Sequence, residues 1–189
     1  MDFFQVFDSN YYEKLNERAD SFKEVFRLCK ERGVKRIVET GTCRTGDWIG
    51  DGCSTVLFGH YAASVGGKVT TVDIDSQAIS LCKSLTTVYS GCIEYVVGDS
   101  IEFLRGVDYS VELLYLDSYD FGPHIVKESQ EHSLEEAKAA FHNLSDRAIV
   151  VIDDCKLPSG GKGGLSVPWL LRNGFELVFG GYQFVFARN

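Results

Sequence analysis

Three carboxylates stand where apolar runs of the chain end. LLYLDSYD puts Asp117 directly after one such run, and AIVVIDDCK puts Asp153 and Asp154 directly after another. Nearly continuous apolar runs of this length read as strands buried on both faces, and adjacent strands lie about 4.8 Å apart. If these two are neighbours, their ends crowd three like charges into one small space. That crowding is relieved by protonation, by an intervening basic side chain, or by a hard divalent cation with oxygen ligands, for which Mg²⁺ is suited.

A second set of polar residues follows the earlier apolar runs. RIVETGTCRTGDWIGDGCST places Glu39 at a strand end and Gly41 two residues later, where a positive φ and the missing Cβ allow a close approach to a ligand. In VTTVDID, Asp73 terminates the second strand, placed to accept both hydroxyls of a ribose, and VVGDS adds Asp99 and Ser100 within reach of an adenine edge. A carboxylate at the end of a strand is also a common helix cap, so any one of these acids taken alone is weak evidence. The dinucleotide fingerprint G-x-G-x-x-G needs glycine at position 43, where Cys43 stands, which counts against a nicotinamide cofactor.

The elements that must carry these residues alternate. Strands are expected at 36–39, 68–73, 93–98, 111–117 and 147–153, with helices over 54–66, 76–89, 100–106 and 127–144 between them. A helix over 11–33, with Leu15, Phe22, Val25, Phe26 and Cys29 at helical spacing, precedes the first strand and stops at Gly33. FELVFGGYQFVFARN reads as two strands turned at Gly180-Gly181. The fold class is therefore α/β, Rossmann-like and doubly wound, with a mostly parallel sheet closed by an antiparallel C-terminal hairpin. One domain spans 1–189, a helical segment at 1–33 and the core at 34–189.

Composition narrows the partners. A formal net charge of -8 opposes sequence-independent attraction to phosphate backbones, so nucleic acid is not expected. The N-terminal MDFFQVFDSN carries acids where a signal peptide carries bases, and no apolar run approaches membrane-spanning length, so a cytoplasmic location without membrane contact is expected. The six cysteines include no CxxC pair and read as free, mostly buried thiols.

In order and spacing, VETGTCRTG, TTVDID, VVGDS and LLYLDSYD resemble the class I S-adenosylmethionine-dependent methyltransferases over residues 34–189. The resemblance implies a seven-stranded sheet and S-adenosylmethionine as cofactor. It places Glu39 and Gly41 at the methionine moiety, Asp73 at the ribose and Asp99 and Ser100 at the adenine, with Thr42, Ile74 and Asp117 completing the cofactor-binding set. Asp117 with Asp153-Asp154 is further similar to the metal triad of catechol O-methyltransferase-like and cephalosporin-hydroxylase-like methyltransferases. There Mg²⁺ would chelate two acceptor oxygens and activate the hydroxyl to be methylated. Catechol enzymes carry a lysine three residues after the first metal acid; here Asp120 stands at that place. The base is therefore open among Asp120, His124, His132 and Lys156, with Asp117 also in the catalytic set.

His132 with Glu135 and Glu136 forms either a ligand face or a solvated helix face. His60 reads as a packed or surface histidine. RTGDWIGDG and CKLPSGGKGG are glycine-rich and placed as lids, in which Trp48 either covers the site or packs on the domain, and Lys156 and Lys162 either meet an anionic acceptor or are solvated. Phe3, Phe4, Phe7, Tyr11 and Tyr12 either face a second copy in a homo-oligomer or pack on their own domain. Three functions follow: methyl transfer to a small-molecule hydroxyl with Mg²⁺, a non-catalytic module that binds S-adenosylmethionine, and a nicotinamide-dependent oxidoreductase.

Overall fold

Alternate residues of the apolar strands supply two cores, one on each face of a single sheet. Ile37, Leu113, Ile149 and Val151 join Phe22, Phe26, Leu57 and Phe58 in one core, whereas Val38, Leu114, Val150 and Ile152 join Leu104, Ala137 and Leu170 in the other. Each fully buried large apolar side chain contributes about 1.5–3 kcal/mol, which explains why the sheet must be covered on both sides.

The computed structural model describes residues 2–188; Met1 and Asn189, the ends of the expected 1–189 span, lie outside them. The strands are β1 (Arg36–Thr40), β2 (Lys68–Asp73), β3 (Ile93–Val97), β4 (Val111–Leu116), β5 (Leu144–Ile152), β6 (Phe175–Gly180) and β7 (Phe184–Arg188). Their order is β3-β2-β1-β4-β5-β7-β6. β1 to β5 run parallel, and β7 is antiparallel to both β5 and β6. The order reverses between β1 and β4, so the loops after these two strands flank the crevice where such sheets bind ligands.

The helices are α1 (Phe3–Val6), α2 (Ala19–Arg32), α3 (Ser54–Val65), α4 (Ser76–Leu85), α5 (Ser100–Gly106), α6 (Val126–Ala140) and α7 (Gly163–Arg172). The helix expected over 11–33 is broken: Phe7–Tyr11 is a π turn, Tyr12–Arg18 is 3₁₀, and Asn16 lies outside helical geometry at φ 48°. Two residues after the break, Arg18 is buried. Helix α7 was not legible in the sequence, because Pro168 lies inside it and removes a helical hydrogen bond. It is held to α6 by the Ser133 and Ser166 hydroxyls, 3.0 Å apart. Among the described residues no helix is long and apolar enough to cross a membrane.

Candidate functional site

The loop after β1 is built around Gly41. Its φ is +77°, and a Cβ there would strike the Asp117 carbonyl, so only glycine lets this turn cross the end of β4. Glu39 anchors the loop from beneath. It is fully buried, and its Oε2 accepts from the Thr55 hydroxyl at 2.6 Å and the Thr71 hydroxyl at 2.7 Å. Thr55 Oγ1 in turn accepts from the Cys43 amide at 3.1 Å. Glu39 Oε1 has no partner among the described residues. Burial pushes the Glu39 carboxyl up to about 7, against the pull of those hydroxyls.

Asp73 holds the same loop from β2: its Oδ2 accepts from the Thr42 amide at 3.1 Å and its Oδ1 from the Asp75 amide at 2.8 Å. Beyond position 43, Asp51 organises the glycine-rich segment, accepting from the amides of Arg44, Thr45 and Gly46. The Cys43 thiol donates to it as well, at 3.1 Å. Ligand atoms of Cys43, Asp51 and Cys53 come within 4.8 Å of one another, but the Asp51 oxygens are already occupied by the loop amides. The segment is a closed loop, and Trp48 packs on Tyr11 with ring centroids 5.3 Å apart.

Two cavities follow one another along these strand ends. The first, about 230 Å³, is lined by Asp73, Ile74, Asp99, Ser100, Tyr119 and His132. Ile74 is 76% exposed, an apolar side chain presented to solvent at the rim of this recess. Asp99 caps α5, accepting from the Glu102 amide at 2.9 Å, so the capping role weighed for these acids is realised there. The Ser100 hydroxyl lies 3.2 Å from His132 Nε2, and the His132 ring faces Tyr119. Although burial pushes His132 down, the nearby Glu136 carboxylate takes it above its ordinary value. His132 thus belongs to this cavity and not to the acid cluster.

The second cavity, about 260 Å³, is lined by Arg18, Thr42, Arg44, Asp117, Asp120, Asp154, Lys162 and Tyr182, among others. The sheet brings Asp117, Asp153 and Asp154 together as expected, and basic side chains meet them. Asp153 is fully buried. Its Oδ2 accepts from Arg18 Nε at 2.9 Å and the Tyr115 hydroxyl at 3.2 Å, and its Oδ1 from Arg18 Nε at 3.2 Å and the Asp154 amide at 2.8 Å. Lys162 Nζ binds Asp117 Oδ1 and lies 3.2 Å from Asp154 Oδ2. The Tyr182 hydroxyl donates to Asp154 Oδ1 at 2.6 Å. Burial disfavours charge on Asp154, but the Lys162 charge and the Tyr182 hydrogen bond hold its carboxyl below the ordinary value. Burial lifts Asp117 well above its ordinary value, with Lys162 pulling the other way.

Three expectations are corrected here. The Asp117, Asp153 and Asp154 set does not fit Mg²⁺ as it stands, because the oxygens of Asp153 are filled and an ammonium lies between the other two acids. CKLPSGGKGG is no free lid: Gln130 donates to the carbonyls of Ser159 and Gly161, and Lys162 is 4% exposed. Lys156 is on the surface, paired with Glu17 at 3.0 Å, and His124 is exposed. Asp120 lines the cavity, paired at its exposed rim with Arg44 at 2.9 Å. Arg18, Asp51 and Tyr182 were not singled out in the sequence; the one signal for Arg18 was the need of three acids for a counter-charge. A larger cavity of about 530 Å³, lined by Phe4, Phe7, Phe26 and Phe179 with charged residues of α2, contains none of these acids.

No protein-family model and no curated protein matches the chain. Solved structures do. The SAH-bound methyltransferase PaMTH1 of Podospora anserina superposes with a TM-score of 0.66 at 14% identity, over 98% of this chain and 85% of that one. An O-methyltransferase from Bacillus cereus in complex with SAH gives 0.64 at 14% identity, over 98% and 87%. MycE of the mycinamycin biosynthetic pathway, in complex with Mg, SAH and mycinamycin VI, gives 0.62 at 17% identity, over 90% and 49%. The chain has the fold of the class I S-adenosylmethionine-dependent methyltransferases.

Proposed function

We propose that this protein is an S-adenosylmethionine-dependent methyltransferase acting on a hydroxyl of a small polar molecule. The observation that carries this reading is the pair of consecutive cavities at the carboxyl ends of β1, β2, β3, β4 and β5, one lined by Asp73, Ile74, Asp99 and Ser100 and one lined by charged groups. Ile74, bare at the rim of the first, has a physical reason to be there if a purine covers it. Asp73 and Ile74 would hold the ribose and the base, with Asp99 and Ser100 at the adenine edge. Gly41 and Thr42 would lie along the methionine moiety, and Glu39 supports them from below. When bound, the cofactor supplies an electrophilic sulfonium methyl group.

The chain's own residues supply the remainder. Asp117 opens on the polar cavity and accepts the proton of the acceptor hydroxyl, its basicity raised by burial. Asp120 and Arg44 guard the rim, while His132 serves the cofactor half. Magnesium has no part in this reading, because the acids expected to hold it are already paired. The cavity walls are polar, which favours a hydrophilic acceptor over a flat apolar one.

The test incubates the protein with methyl-labelled cofactor and pools of hydroxylated polar small molecules. Label is expected in the small-molecule fraction, with the rate cut about 10²-fold or more in Asp117→Asn, in line with loss of a general base. Label found only in protein or nucleic acid would overturn the acceptor class.

A further inference from the structure

We infer that Lys162 takes the place of a divalent cation in this site, so that the site is metal-independent and a tethered ammonium meets the acceptor oxygen. This deepens the proposed function and rests on it for the reaction; the arrangement of charges stands on its own. Lys162 Nζ bridges Asp117 and Asp154, the two acids of the cluster that open on the cavity, as a hard cation would. The third acid is withdrawn from ligation altogether, held by Arg18, Tyr115 and the Asp154 amide. Arg18 Nη2 also lies 3.6 Å from Asp154 Oδ1. Two fixed positive charges thus face three carboxylates, and a divalent ion entering beside them would meet repulsion from both.

The segment that carries Lys162 is built to hold it there. A Cβ on Gly161 would run into the Asp154 carbonyl, and one on Gly163 would meet the Cys155 sulfur at 2.8 Å, so both glycines let the chain lie directly on the end of β5. Gln130 of α6 fastens the same segment through the Ser159 and Gly161 carbonyls at 2.9 and 3.0 Å. An ammonium brings three donors and a single charge but no Lewis acidity of a metal. It would orient one acceptor oxygen by hydrogen bonding, so the acceptor has no need of a chelating pair of oxygens.

The test is a Mn²⁺ titration, followed by calorimetry and by the paramagnetic resonance of the free ion. It uses the wild type, Asp154→Asn, Lys162→Met, which keeps the apolar stem, and the double variant Lys162→Met/Asp154→Asn. Thermal melting checks that each variant is folded, and Lys162→Ala replaces Lys162→Met if the latter is not. The wild type should show no specific Mn²⁺ binding, the single variant should bind at least tenfold more tightly, and the double variant should lose that gain. Mn²⁺ binding by the wild type that Asp154→Asn abolishes would overturn the inference. So would a folded Lys162 variant that binds no Mn²⁺. A failure of the methyltransferase reading itself would show instead as absence of SAH binding, which these titrations do not measure.

Discussion

Glu39 is a buried acid whose neighbours only partly compensate its burial. With the carboxyl pushed from its ordinary 4.5 to about 7, the fold prefers the neutral form. Its contribution to stability is therefore present below about pH 4.5 and lost as the pH rises through about 7, an effect of about 3 kcal/mol by linkage. Denaturant midpoints measured at pH 5 and pH 8 should show the wild type losing stability relative to Glu39→Gln; parallel curves would show that Glu39 ionises freely. The identities of Glu39, Gly41, Asp73, Asp117, Asp153 and Asp154 were legible in the sequence because each follows an apolar strand. Their partners were not, since Lys162 reaches Asp117 across 45 residues and Arg18 reaches Asp153 across 135, distances at which a single sequence carries no pairing signal.

At the scale of elements, the sheet was legible and its irregular connections were not. Strand and helix periodicity point to β1 to β7 and to five helices, whereas α7 is hidden by Pro168 and the glycines before it have the composition of a flexible loop. In the structure some of those glycines mark contact instead. Gly161 lies at φ +55° against the Asp154 carbonyl, so Gly161→Ala should destabilise the protein by roughly 1–3 kcal/mol and loosen Lys162. Gly91 has open space around it, and Gly91→Ala should be close to neutral. Thermal melts of the two variants, compared with the wild type, decide this; equal midpoints would mean that the 156–164 segment is not pinned. The loop at 44–52 likewise has the glycine-rich composition of a lid, whereas Asp51 closes it on its own amides. Asp51→Ala should make this loop the first site of limited proteolysis.

For the molecule as a whole, the N-terminal segment is part of the fold and of the site together. Phe3 and Phe7 are buried against Phe26, so these aromatic residues pack on their own domain. Arg18 continues that packing into the polar cavity, with its guanidinium 4.5 Å from the centre of the Tyr182 ring. Arg18→Met should leave Asp153 buried and unpaired, at a cost of about 3–5 kcal/mol seen by chemical denaturation, far beyond an exposed pair such as Lys23 with Asp8. Methyl transfer at this sheet edge requires the first cavity to take the adenosine of S-adenosylmethionine beside the polar acceptor cavity, and calorimetric titration of S-adenosylhomocysteine tests that most directly. The expected result is saturable one-to-one binding, unchanged by a metal chelator and weakened tenfold or more by Ile74→Asp without loss of thermal stability. No heat of binding to the wild type, or equal binding by the Ile74→Asp variant, would contradict it.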